Sequence, residues 1–296
     1  MPYAGELSAI ATAVMWTGSA LAFAAATVRV GSVYVNVVRL MAAVVLLIGT
    51  IVLFNISITV SAVQVVFLSL SGFVGFVFGD TFLFKSYEYN DARIGSLMKA
   101  YAPAMTALMA FLFLNESLSM MGILGMTVTI AGIALVVLER KEPSTHHVPI
   151  SMIGVFYAFL GAIGQAGGMI LAKSAFARGP VNGFVATFIR AFSATLVLVP
   201  LNYFAGRFTE PRKIFSNDRR AFYYTMLGSF LGPYIGVTFS LIAISLTNVA
   251  IAATLIALVP IVMLPAVWIL FREKLTWRAV AGAFIAVAGV GILFLR

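Results

Sequence analysis

Apolar stretches of about 20 residues follow one another along almost the whole chain, and a fold that faces water on its outside cannot be built from them. An α-helix rises ~1.5 Å per residue, so each stretch is long enough to cross a hydrocarbon layer of about 30 Å. Barrel strands are excluded by the same lengths, because they alternate polar and apolar residues and cross in about 10 residues. Charge is correspondingly scarce. Only 10% of the residues are charged, against about 25% in an ordinary soluble domain. The predicted fold class is an all-α polytopic membrane protein.

Ten spans are predicted, over residues 6–28, 33–54, 61–85, 93–114, 119–138, 151–173, 182–204, 220–245, 249–271 and 276–295. The N-terminal MPYAGEL lacks Lys and Arg and carries Glu6, so it makes a poor signal-peptide n-region. Most connections are very short. Two are longer and polar: ERKEPSTHHVP, a natural midpoint linker, and GRFTEPRKIFSNDRR, which has room for a short interfacial helix.

The chain also repeats itself. The fragments NESLS and REKLT leave apolar runs in the same way, with Glu116 and Glu273 at an offset of 157 residues. At that offset Pro103 meets Pro260, Ser119 meets Thr276, Gly125 meets Gly282 and Gly132 meets Gly289. Ser71, Gly75 and Gly79 meet Gly228, Gly232 and Gly236. Nearer the start the offset is 151, where Arg39 meets Arg190, and an insertion before the eighth span accounts for the change. The expected organisation is a first repeat over 1–142, a linker over 143–149 and a second repeat over 150–296. Five spans per repeat is an odd number, so the halves are expected to be inverted around a central cavity, as in many secondary transporters. Ser119 and Thr276 fit helix caps. Glu116 and Glu273 fit membrane-edge carboxylates near helix N-termini. The spaced small residues fit close helix packing.

The doubled pattern L-x-x-L-x-P-x-x-[A/M]…E-x-L-[S/T]…G…AG resembles the EamA family of the drug/metabolite transporter superfamily. It reads LMKAYAPAMTALMAFLFLNESLSMMGILGMTVTIAG in one half and TLIALVPIVMLPAVWILFREKLTWRAVAGAFIAVAG in the other. The resemblance implies ten helices, a cavity between the halves, and export or exchange of small metabolites, without naming a substrate. The halves differ in one place. GDTFLFKSYEYNDAR is far more charged than GVTFSLIAISLTNVA, so a site formed there is expected to be asymmetric.

An ionisable residue within a span is costly and is a functional candidate by default. Four stand out: Arg39, Asp80, Lys99 and Arg190. The first three are expected in one layer, roughly 8–10 Å below the surface shared by the first and third loops. Two cations and one anion leave a surplus positive charge. Asp80 would pair with one base while the other faces a substrate carboxylate or phosphate; the alternative is a closed structural cluster or snorkelling side chains. Arg190, by inversion, is expected toward the opposite face as a second anion contact. Trp16, Ser19, Tyr101, Gln165 and Tyr234 are further polar or aromatic candidates for substrate contact, against plain packing. Pro103, Pro260 and Pro233 are candidate hinges, with kinks expected in the fourth, ninth and eighth spans.

Other chemistries fit poorly. There is no cysteine, so neither disulfides nor thiolate metal sites can form. The two histidines, His146 and His147, lie in the polar linker, away from any intramembrane nucleophile. An aspartyl pair would need a second carboxylate beside Asp80. HExxH and GxxxxGK[ST] are both absent, so no metal, cofactor or ATP-driven step is expected, and no enzyme. The net charge of +9 is read as basic loops on anionic lipid rather than nucleic-acid binding. The expected partners are the lipid bilayer and a small-molecule substrate. The expected activity is secondary transport of small polar metabolites such as amino acids or organic anions in a cell (inner) membrane, by alternating access. Lipophilic-cation efflux and a facilitator channel of the same fold are the alternatives. The odd-numbered loops carry thirteen Lys and Arg against three on the termini and even loops. The positive-inside rule then puts the odd loops in the cytoplasm, whereas the family resemblance implies cytoplasmic termini.

Overall fold

A computed structural model of the protein describes residues 3–89, 101–139, 151–271 and 276–295. Among the described residues every regular element is a helix. The first two helices are α1 (Ala4–Val30) and α2 (Ser32–Leu53). Helix α3 runs as Ala62–Gly72, Phe73–Gly79 and Asp80–Tyr89. Then come α4 (Ala102–Leu114), α5 (Met120–Glu139), α6 (Met152–Phe176) and α7 (Gly183–Phe204). A short surface helix, Pro211–Asn217, occupies the long second loop where the sequence left room for one. Helix α8 spans Arg219–Leu246, α9 is split into Val249–Ile256 and Val259–Phe271, and α10 is Trp277–Phe294. Among the described residues nine helices are long and apolar enough to cross a membrane, and Ala102–Leu114 is a shorter apolar tenth. The connection between α1 and α2 is the single residue Gly31, at φ +85°, a conformation that glycine adopts without steric cost.

The helix contacts show that the halves are inverted. Leu40 of α2 shares a buried cluster with Leu198 of α7, whereas Leu47 shares one with Ala191. The repeat offset of 151 equates Leu40 with Ala191 and Leu47 with Leu198, so each residue packs at the level of the other's equivalent. Parallel copies would match Leu40 with Ala191 instead. Helices α5 and α10 cross in the same way. A Cβ at Gly125 would lie 2.9 Å from the Gly289 carbonyl oxygen, and one at Gly132 would lie 2.6 Å from that of Gly282. The offset of 157 equates Gly125 with Gly282 and Gly132 with Gly289. Such swapped pairs mark a pseudo-two-fold axis, by the logic of an isologous interface.

Lipid chains are as apolar as leucine, so close packing and interhelical hydrogen bonds hold such helices together. The glycine rows serve both. In α3, Gly79 and Gly75 face Gly164 and Gly168 of α6 backbone to backbone. In α8, Gly228 and Gly236 are filled by Phe23 and Trp16 of α1. Ser19 of α1 donates to the Gly228 carbonyl at 2.9 Å, and Ser71 of α3 donates to that of Gly168. Each half therefore sends its third helix onto the first helix of the other half.

Two departures from regular helix occur in matching places. Phe73–Gly79 and Phe230–Gly236 are both π-helical, and both bounds are related by the 157-residue offset. Pro233 stands in the second segment, but the first contains no proline, so the wide turn does not depend on one. Helix α9, where a kink was expected at Pro260, is interrupted at Ala257–Leu258. Pro260, just after the break, has no N–H to give the Ile256 carbonyl, which removes the bond that would carry the helix through. Thr17 of α1 donates to the Val259 carbonyl at this break, at 3.3 Å.

Candidate functional site

The third turn of α2 and the end of the first π-helical segment meet at a charged pair. Arg39 Nη2 donates to the Asp80 carboxylate, and Arg39 Nε donates to Asn36 Oδ1 at 2.9 Å. The guanidinium lies 5.7 Å from the centre of the Phe23 ring of α1. Asp80 ends a π-helical stretch, and π-bulges commonly mark functional positions because the extra residue per turn re-aims the side chains beyond it. The side chains of Arg39 and Asp80 keep 13% and 24% of their surface accessible, so the pair is reachable and not sealed.

Arg190 occupies the equivalent turn of α7, about 10 Å from the opposite end of the bundle. With a hydrocarbon layer of ~30 Å, the two arginines differ in depth by about 10 Å. Arg190 is 6% exposed, and its guanidinium carbon lies 5.0 Å from the centre of the Phe76 ring in α3. Its Nε is buried with no hydrogen-bond partner. That Nε–H is a buried donor left unsatisfied, and the guanidinium forms no ion pair among the described residues. The pseudo-symmetry explains the imbalance: the position equivalent to Asp80 is Val237. The sequence asymmetry between GDTFLFK and GVTFSLI thus appears in space as one arginine with a carboxylate and one without.

The sequence profile of the EamA-like transporter family matches this chain twice, over residues 3–138 and 152–295. The chain belongs to that family. Among curated proteins it is similar to "Uncharacterized transporter YxxF" of Bacillus subtilis (strain 168), 26% identical over 134 residues. That match covers 45% of this chain and 41% of the relative's length. A solved crystal structure has the same fold, with a TM-score of 0.80 at 16% identity, covering 100% of this chain and 98% of the other. The protein is a multi-pass membrane protein of the EamA-like transporter family.

In this EamA-like transporter the remaining candidates are spread over both depths. Tyr234, in the second π-helical segment, shares a 2.6 Å hydrogen bond with Thr50 of α2 and packs by Phe184 and Phe230. It packs against the cluster of Leu47 and Ala191, the latter next in sequence to Arg190. Trp16 packs against Gly236 at the end of the same segment, and Ser19 is buried in its bond to Gly228. Gln165 is half-buried where α6 crosses Gly79, beside Asp80. Tyr101 is exposed at the N-terminus of α4, and its carbonyl accepts from Met105 rather than facing a gap. Pro103 stands in the first turn of Ala102–Leu114, where its missing N–H costs nothing. Lys99 and Glu273 lie outside the described residues.

Sequence reasoning overlooked a belt of bonds in this EamA-like transporter on the side of the even-numbered loops. Glu116 Oε2 accepts from the backbone N–H of Val249 at 2.9 Å, so it does sit at a helix N-terminus, but that of α9 in the other repeat. Lys173 lies 3.3 Å from the same carboxylate and donates to the carbonyls of Ile244 and Thr247 at 2.7 and 2.9 Å. Thr247 in turn donates to Glu6 Oε1 at 2.9 Å. Five helices, α1, α4, α6, α8 and α9, are tied together there. Lys173, one of few cations on that side, was the available signal.

Proposed function

We propose that this transporter is a secondary exporter or exchanger of small polar metabolites bearing a carboxylate or phosphate, amino acids and organic anions among them, in a cell (inner) membrane. The observation that carries this reading is the buried Arg190, whose Nε has no hydrogen-bonding partner. Buried polar groups are almost always satisfied, and each exception needs a reason. A transient anionic ligand supplies one. Arg39 and Asp80 form the station nearer the odd-numbered loops, Arg190 and Tyr234 the station nearer the even-numbered ones. Two arginines and one carboxylate leave a net positive charge along the route, which attracts anions and zwitterions and disfavours lipophilic cations. The two π-helical segments adjoin these stations, the break before Pro260 lies against α1, and all three are places where helices can bend as access alternates. The Asp80 carboxylate is already engaged by Arg39, so exchange or facilitated efflux is preferred to proton coupling.

Counterflow into proteoliposomes tests the reading. Amino acids and organic acids should drive saturable uptake of their labelled forms. Arg190→Gln should lower the rate at least tenfold, and Arg190→Lys should retain part of it. Wild-type flux in a folded Arg190→Gln protein would refute the assignment. Stimulation only by lipophilic cations would favour the drug-efflux alternative. Flux driven by a pH gradient and made pH-insensitive by Asp80→Asn would instead establish proton coupling.

A further inference from the structure

The second long loop folds back on α2 and leaves a groove that the transport route does not use. Tyr34 of α2 donates to the Thr209 carbonyl at 2.8 Å, and the Tyr34 and Phe208 rings lie 5.5 Å apart, so the loop is pinned to the helix. Beyond that point Val38 and Met41 of α2, Phe208, Phe215 of the short helix and Phe222 of α8 line a cavity of about 370 Å³. Arg212 and Ser216 stand among the lining residues as its polar members. Phe208 and Phe215 are buried, and the Phe215 and Phe222 rings meet edge to face at 6.2 Å.

The groove is apolar at depth and cationic at its mouth. Val38 and Met41 lie about 9 and 14 Å along α2 from its start at Ser32, within the hydrocarbon layer. The loop carrying Arg212 lies at the membrane surface. The loop's carboxylates are already engaged: Asp218 with Arg29 at 2.7 Å, and Glu210 with Lys213 at 3.3 Å. Arg207, Arg212, Arg219 and Arg220 form no ion pair among the described residues. A free inorganic anion would use the arginines and leave the apolar walls empty. A zwitterionic lipid would fill the walls, but its headgroup brings a cation with its phosphate and adds no net negative charge to the arginines. One occupant satisfies both parts: an acyl chain along Val38, Met41 and Phe222, with an anionic phosphate headgroup at Arg212. The loop also lies on the cation-rich side of the molecule, which the positive-inside rule assigns to the leaflet richest in anionic lipid. We infer that this groove is a binding site for one anionic glycerophospholipid, which buttresses the α2–α8 corner from outside the bundle.

Native mass spectrometry and thermal unfolding of the full chain in detergent test the inference, with phosphatidylglycerol, phosphatidylcholine and glycerol phosphate added separately. Phosphatidylglycerol should remain bound through detergent exchange and raise the unfolding temperature. Phosphatidylcholine should be retained several-fold less, and glycerol phosphate should have no effect. Arg212→Gln, at an exposed position, should abolish the preference for the anionic lipid. Met41→Trp should fill the groove and lower retention of both lipids. Equal retention of the two lipids by the wild type overturns the inference, as does stabilisation by glycerol phosphate equal to that by the lipid. So does unchanged phosphatidylglycerol binding in both variants.

Discussion

Truncating Glu116 should loosen the belt that ties the repeats together, and its contacts set the size of the effect. One carboxylate oxygen holds the Val249 N–H at 2.9 Å, and the other lies 3.3 Å from Lys173. A hydrogen bond to a charged group contributes about 1.5–3 kcal/mol, and an anion at a helix N-terminus about 0.3–1 kcal/mol beyond that. The Lys173 pair adds less, because both side chains keep about a fifth of their surface accessible, 17% and 21%. Glu116→Ala should therefore cost about 2–4 kcal/mol. Glu116→Gln keeps an acceptor for Val249 and should cost about half as much. Reversible unfolding in mixed micelles, with Lys173→Met and the double variant completing a cycle, separates the contributions. A coupling of ~1 kcal/mol is expected between the two side chains. A Glu116→Ala loss below ~0.5 kcal/mol, or a cycle that closes with no coupling, would show that the belt does not hold α9 against α6.

Gly132→Ala should separate α5 from α10 and destabilise by about 1–3 kcal/mol, because its Cβ would lie 2.6 Å from the Gly282 carbonyl oxygen. Gly291→Ala, with nothing within 4 Å of the added Cβ, should be neutral or slightly stabilising, and thermal melts of the two variants make the comparison. Asp218 caps α8 by accepting from the Ala221 N–H, and that bond together with Arg29 holds its carboxyl below the ordinary carboxylate value. Its contribution is thus present at neutral pH and lost as the pH falls through the acidic range. Asp218→Asn should melt nearer the wild type at pH 3 than at pH 7, and an unchanged gap would count against the cap. Reporter fusions at the C-terminus should register an external location if the thirteen cations of the odd-numbered loops set the topology, and a cytoplasmic signal would show that they do not.

Membership of the helical, twice-repeated class was legible in the residues themselves. Span length follows from the thickness of the hydrocarbon layer, and the two offsets, carried by Glu116, Gly125, Gly132 and Arg39 with their equivalents, expose the duplication without coordinates. Inversion followed from counting five spans per half, and the swapped contacts of Leu40 and Leu47 with α7 bear it out. The caps at Ser119 and Thr276 were equally local: each hydroxyl accepts from the N–H three residues on. The partners of the charged residues were legible only in part: depth along the spans put Asp80 with Arg39 or Lys99, but nothing indicated the partners of Glu116, Lys173 or Arg190. A helix of mostly apolar residues gives little sign of which side meets which neighbour, because lipid and protein offer similar apolar surroundings. Only the tertiary structure decided that Glu116 caps a helix of the opposite repeat and that matching segments of α3 and α8 widen into π-helix. It also decided that Arg39 has a carboxylate while Arg190 lies buried against Phe76 with its Nε–H unsatisfied. Spacing along the chain sets a residue's depth in the membrane, but its bonding partner depends on helices brought together from distant parts of the chain.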